Sequence, residues 1–149
     1  MNANVKTKLQ TILETVSLLQ VVYPYEKEDS LGTPFATITR SAKENDYETT
    51  SENRRVYAFV VRLFVERKGA TGSKSNPNDC EAALDALEDA VIDELDANHR
   101  LSGLTVNTGY TYLFMEAVPS VWGYVGRENE YRVAELTVRV HFSTDVNLI

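Results

Sequence analysis

A single cysteine, Cys80, stands in this chain of 149 residues, so no internal disulfide can form. Histidine is almost as scarce: His99 and His141 are the two, and no spacing in the sequence brings them together. There is no HExxH and no paired CxxC, which excludes the usual zinc frameworks. Phosphate-cradling glycine motifs are missing as well, since Gly69 and Gly72 have the wrong spacing. No apolar run approaches the roughly 18 residues that a membrane-spanning helix requires. The first ten residues lack the basic start, apolar middle and small-residue cleavage site of a secretory signal, so a cytosolic protein is the simplest expectation. A basic excess is absent too, and with it the electrostatic footprint of a nucleic-acid binder. We therefore expect no enzyme, no cofactor, no metal and no membrane partner.

What the chain does contain is charge in one place and apolar alternation in several others. The net charge is −7, and eight of the carboxylates lie between Asp79 and Asp96. Hydrophobic residues make up 43%, enough for a sizeable core in one domain of this length. Val5, Leu9, Ile12, Leu13, Val16 and Leu19 recur at helical spacing and predict a helix over 6–20. Pro77 and the capping-box spacing of Asn78 and Glu81 open a second helix over 79–96. Its buried stripe is Cys80, Leu84, Leu87, Val91 and Leu95. Cys80 belongs to that stripe, and Asp79 and Glu81 beside it disfavour a reactive thiolate.

Extended segments fill the rest. Val21–Tyr23 runs into Pro24, residues 30–34 read as a turn, and 35–39 as a short strand. Residues 40–53 are polar without apolar periodicity and read as the mobile end of a long hairpin; 68–76 reads as a second mobile loop. Residues 54–67 form a long strand apolar on both faces, which makes it either central in a sheet or covered by a neighbour. A third extended segment covers 105–118, with Tyr110, Tyr112, Phe114 and Glu116 on one face, before an interruption at 119–126. The last strand covers 130–144. Ala134, Leu136, Val138, Val140 and Phe142 point one way; Glu135, Thr137, Arg139 and His141 point the other. The fold class that follows is α+β: one twisted, mostly antiparallel sheet with two helices on one face. The long strands outreach the helices, so they protrude and call for a partner or for protection.

Two surfaces are candidates for function. Asp85, Asp89, Asp93 and Asp96 form an acidic stripe opposite the apolar one. Its plain reading is a solvated face; its functional reading is repulsion of a polyanion or pairing with a basic surface. The second candidate is a subunit interface drawing on Arg54, Arg62, Phe64, Trp122 and Tyr124. Arg54 and Arg55, with Lys68 and Lys74, form a loose basic cluster of the kind that protects sheet ends.

The run of an amphipathic helix, the PFATI segment (34–38), RRVYAFVVRLFVER (54–67), CEAALDALEDAVIDEL (80–95) and a closing ELTVRVHFSTDV (135–146) resembles the tail terminator and tail-completion proteins of long-tailed bacteriophages. That group includes the head-tail joining proteins, and the likeness covers most of the chain. The resemblance implies a virion protein assembled in the host cytoplasm. It implies a homo-oligomeric ring, commonly a hexamer, that ends tail-tube polymerisation. Its partners would be the tail-tube protein and the head connector, and DNA would pass through without sequence-specific binding. The alternatives are a head-tail connector, tail tube or minor capsid subunit, or, in another class, a small intracellular ligand-binding α+β module.

Overall fold

The computed structural model describes residues 1–27, 34–47, 52–66, 77–125 and 131–145. Residues 30–33 of the turn expected at 30–34, the loop expected at 68–76 and residues 48–51 of the mobile end expected at 40–53 lie outside the described residues. Two helices and five strands follow in the order α1 (Asn2–Leu13), β1 (Val21–Tyr23), β2 (Phe35–Tyr47), β3 (Glu52–Glu66), α2 (Pro77–Ala97), β4 (Tyr110–Val125) and β5 (Tyr131–Asp145). The strands form one sheet in the order β1-β2-β3-β5-β4. Only β1 and β2 pair parallel; the other three pairings are antiparallel. The fold is α+β, and β3, the strand apolar on both faces, occupies the centre of the sheet.

Both helices lie on one face. Tyr57, Phe59, Val61, Leu63 and Val65 of β3 line up with Ala134, Leu136, Val138, Val140 and Phe142 of β5. Against them pack Val5, Leu9, Ile12 and Leu13 of α1 and Leu84, Leu87, Val91 and Leu95 of α2. Spacing of three and four residues on the helices meets alternation on the strands, and the result is a single two-layer core. The opposite face carries a smaller aromatic cluster. Phe35 stacks on Phe64 at 4.4 Å between ring centres, and Tyr131 stands edge-on to both.

The elements differ from the sequence reading at three points, each with a local cause. Helix α1 ends at Leu13 and not near residue 20. Beyond it the amides of Thr15, Val16 and Leu19 bond three residues back, and the Thr15 hydroxyl donates to the Ile12 carbonyl at 2.6 Å. Tight turns of this kind end a helix while keeping Val16 and Leu19 in the core. Strand β2 runs 13 residues, through the polar stretch expected to be a mobile loop. Pairing with β3 satisfies its backbone, and an exposed edge position makes no demand for apolar side chains. Strand β4 continues through Pro119, with register shifts between Tyr112 and Phe114 and between Pro119 and Trp122. Proline is tolerated there because β4 is an edge strand.

The first of those shifts corrects the expected face. Tyr110 and Tyr112 pack against the main core, whereas Phe114 and Glu116 lie on the helix-free side against His141.

Sheet and helices are unequal in length. Strands β3 and β5 have 15 residues each, about 50 Å at roughly 3.3 Å per residue. Helix α2 has 21 residues, about 32 Å at roughly 1.5 Å per residue, and α1 is shorter still. Towards the end of β2 and the start of β3 the helix side of the sheet becomes polar. Asn53 donates to Asn45 at 2.5 Å, Arg55 to Asn45 at 3.2 Å and to the Tyr110 hydroxyl at 2.5 Å. Thr144 donates to Asn53 at 3.1 Å. Pairing of this kind offsets the cost of burying polar atoms.

Burial, reinforced by the Tyr110 hydroxyl, pushes the Tyr57 phenol up to about 12, and burial does the same for Tyr112. A raised folded-state value means that this stabilisation is complete below the ordinary value of 10.0 and is lost as pH rises towards 12. An alkaline titration followed by tyrosinate absorbance should therefore show two tyrosines resisting ionisation until about pH 12 or until the chain unfolds. Unfolding stability should fall across that same window; a flat profile there would contradict the burial of these hydroxyls.

Candidate functional site

The acidic stripe lies where the spacing placed it. Asp85, Asp89, Asp93 and Asp96 are all exposed on α2, opposite the buried Leu84, Leu87, Val91 and Leu95. Glu88 is half-buried beside them. Burial first, then the charges of Asp85 and Asp89, push its carboxyl above the ordinary value. Arg132, on the helix side of β5, reaches Glu81 at 3.8 Å and shares a small recess with Leu84, Asp85 and Glu88. Glu81, one turn before the stripe, thus links α2 to the sheet, while the four stripe residues are exposed.

The expected interface residues do not form one patch. Phe64 is buried in the stack with Phe35, which corrects its assignment to a subunit contact. Phe35 and Tyr131 of the same chain close off Phe64 itself. Arg62 bonds Glu135 at 2.7 Å and Glu26 at 3.0 Å, and these partners hold its guanidinium proton more tightly still. Arg54 lies on the same face, its guanidinium 6.0 Å from the centre of the Phe114 ring. Arg55, its neighbour in sequence, projects to the opposite face, so the basic cluster is divided by the sheet. Trp122 and Tyr124 belong to β4 by backbone register, opposite Ala134 and Arg132. Their side chains lie outside the described residues.

A charged network on the helix-free face was not anticipated. Glu44 of β2 bonds Arg139 of β5 at 2.8 Å, across the small side chain of Ala58. Arg139 lies 3.7 Å from Glu116 of β4, and Glu116 accepts from His141 Nε2 at 3.0 Å. Because a carboxylate only accepts, the imidazole proton sits on Nε2 in this arrangement. Phe114 covers the ring at 4.1 Å, nearly parallel to it. The alternation of β5 placed Arg139 and His141 on this face; the register that brings Glu116 and Glu44 to them is a long-range property. Such networks on a half-exposed sheet face fix strand register and contribute little net stability.

Exposure concentrates on the edge strand β4 and on the part of β2 that lies beyond β1. Residues 40–46 of β2 are exposed throughout, and on β4 so are Leu113, Phe114 and Val118, at 39%, 43% and 48%. A shallow groove of about 300 Å³ lies between α1 and the α2–β4 connection, lined by Asn4, Thr7, Lys8, Thr11 and residues 103–105. Its wall is mainly polar, unlike the apolar cavities that enclose small ligands. Among the described residues no helix is long and apolar enough to cross a membrane. No known protein family matches the chain, and no curated protein matches it in sequence.

Proposed function

We propose that this chain is a structural virion protein that forms a homo-oligomeric ring, most simply a hexamer, at the head-proximal end of a phage tail. The ring ends tail-tube polymerisation and joins the tube to the head connector. One observation carries the reading: a single sheet with long strands in which the edge strand β4, and β2 beyond its short pairing with β1, are exposed along much of their length. Open edges with apolar side chains, here Leu113, Phe114 and Val118, are the surfaces on which subunits add to one another. The order and pattern of elements, which resemble those of tail terminators, supply the phage context. Labelled copies of the chain, located in virions by electron microscopy, should sit at the head–tail junction. Label along the whole tube, or in the capsid shell, would assign the chain to another virion role.

In such a ring the exposed stripe of α2 faces the channel. DNA then meets like charge and slides, whereas lysines would hold phosphates. The double variant Asp85→Lys/Asp89→Lys should leave ring assembly intact and slow DNA passage, read as delayed genome ejection. Normal ejection and infectivity would place α2 away from the channel.

A further inference from the structure

We propose that the outer edge of β4 in one copy pairs antiparallel with the outer edge of β2 in the next, so that the sheet continues from subunit to subunit. This rests on the ring reading above and specifies its interface.

The topology leaves two edges for the purpose. Among the described residues, strand β4 pairs with β5 on one side only. On β2, β1 covers Phe35, Ala36 and Thr37, and among the described residues no strand pairs with 38–47 on the outer side. The directions agree as well. β2 and β5 run one way, β3 and β4 the other. Setting a neighbour's β2 beside β4, with the helices of both copies on the same side, makes that new pair antiparallel. Each copy then gives one edge and receives the other. A head-to-tail contact of this kind closes into a ring when its rotation divides a full turn.

Side chains select a register. Residues facing the same side must oppose each other across the new pair. Phe114, Glu116 and Val118 share the helix-free face with Thr39 and Glu44. Phe114 opposite the neighbour's Glu44 brings Val118 opposite Thr39. Glu116 then meets the irregular step between Arg40 and Lys43, where Ser41 and Ala42 carry no charge. Moving two residues along, with Phe114 opposite Asp46, would set Glu116 against Glu44, two like charges in direct opposition. Pairing of β4 with a second β4 about Glu116 has the same fault and leaves β2 open. Pro119, which has no N–H, marks where the ladder stops.

The test is disulfide trapping in the full chain carrying Thr39→Cys and Val118→Cys. The native thiol does not interfere, because Cys80 is buried. Mild oxidation should convert the double variant into a ladder of covalent multimers on a denaturing gel, while each single variant stays monomeric. The pair Glu44→Cys with Phe114→Cys should give the same ladder. A dimer from Val118→Cys alone would mean that β4 pairs with itself and would overturn the proposal. Rings in native mass spectrometry with neither double variant trapped would overturn the edge pairing while leaving the ring reading standing. A native chain that stays monomeric at every concentration would remove both.

Discussion

Phe59→Ala is expected to destabilise the subunit by about 3–5 kcal/mol, as large-to-small changes at fully buried aromatic sites do. Phe59 has no exposed surface, sits on the central strand and faces Val138 across the pair with β5. Both helices bury their apolar stripes over this part of the sheet, so the cavity left by the ring has no side on which to collapse. A domain of this size is stable by about 5–15 kcal/mol in total, so the loss is a large share of it. The melting temperature should drop by on the order of 10 °C. Val118→Ala, on the exposed edge, should stay within about 0.5 kcal/mol of the native chain. Chemical denaturation of the two variants side by side tests the layered core. A Phe59→Ala cost below about 1 kcal/mol would contradict it.

The double variant Phe114→Asp/Val118→Asp is expected to abolish assembly while leaving the subunit folded. Both side chains are exposed in the single chain, so their loss removes little from its core. At the proposed contact they lie on either side of Glu116, and Phe114 approaches the neighbour's Glu44. Two new carboxylates would turn an apolar edge into a row of like charges, which is how natural sheets prevent edge-to-edge association. Sedimentation or native mass spectrometry should give a monomer, with far-UV circular dichroism and the melting curve close to those of the native subunit. Assembly at native affinity would mean that β4 is not an interface.

These two predictions draw on different kinds of information. The core that Phe59 occupies is legible in the sequence, because alternation on residues 54–67 and 130–144 and the stripes on both helices are local patterns. Its two apolar faces left β3 either central or covered by a neighbour, and the strand order makes it central. The acidic stripe, too, lies on the exposed side of α2 as its spacing implied.

What was not legible is decided at long range. Nothing in the polar run from Arg40 to Asp46 announces a strand; its partner β3 makes it one. The register shift before Phe114 turns that residue away from Tyr112 and onto His141, which strict alternation cannot foresee. Phe64 looked available for a partner because apolar residues fall on both faces of its strand. Only the arrival of Phe35 and Tyr131 from distant parts of the chain closes it off. The meeting of Glu44, Arg139, Glu116 and His141 depends on three strand pairings at once.

The central claim is that one copy leaves its sheet unfinished at both margins and that further copies complete it. Native mass spectrometry of the purified full-length chain over a range of concentrations tests this most directly. The account predicts a closed species of fixed copy number, most simply six, with few intermediates between it and the single chain. A monomer persisting at the highest concentration, alone and in the presence of tail tubes, would contradict it.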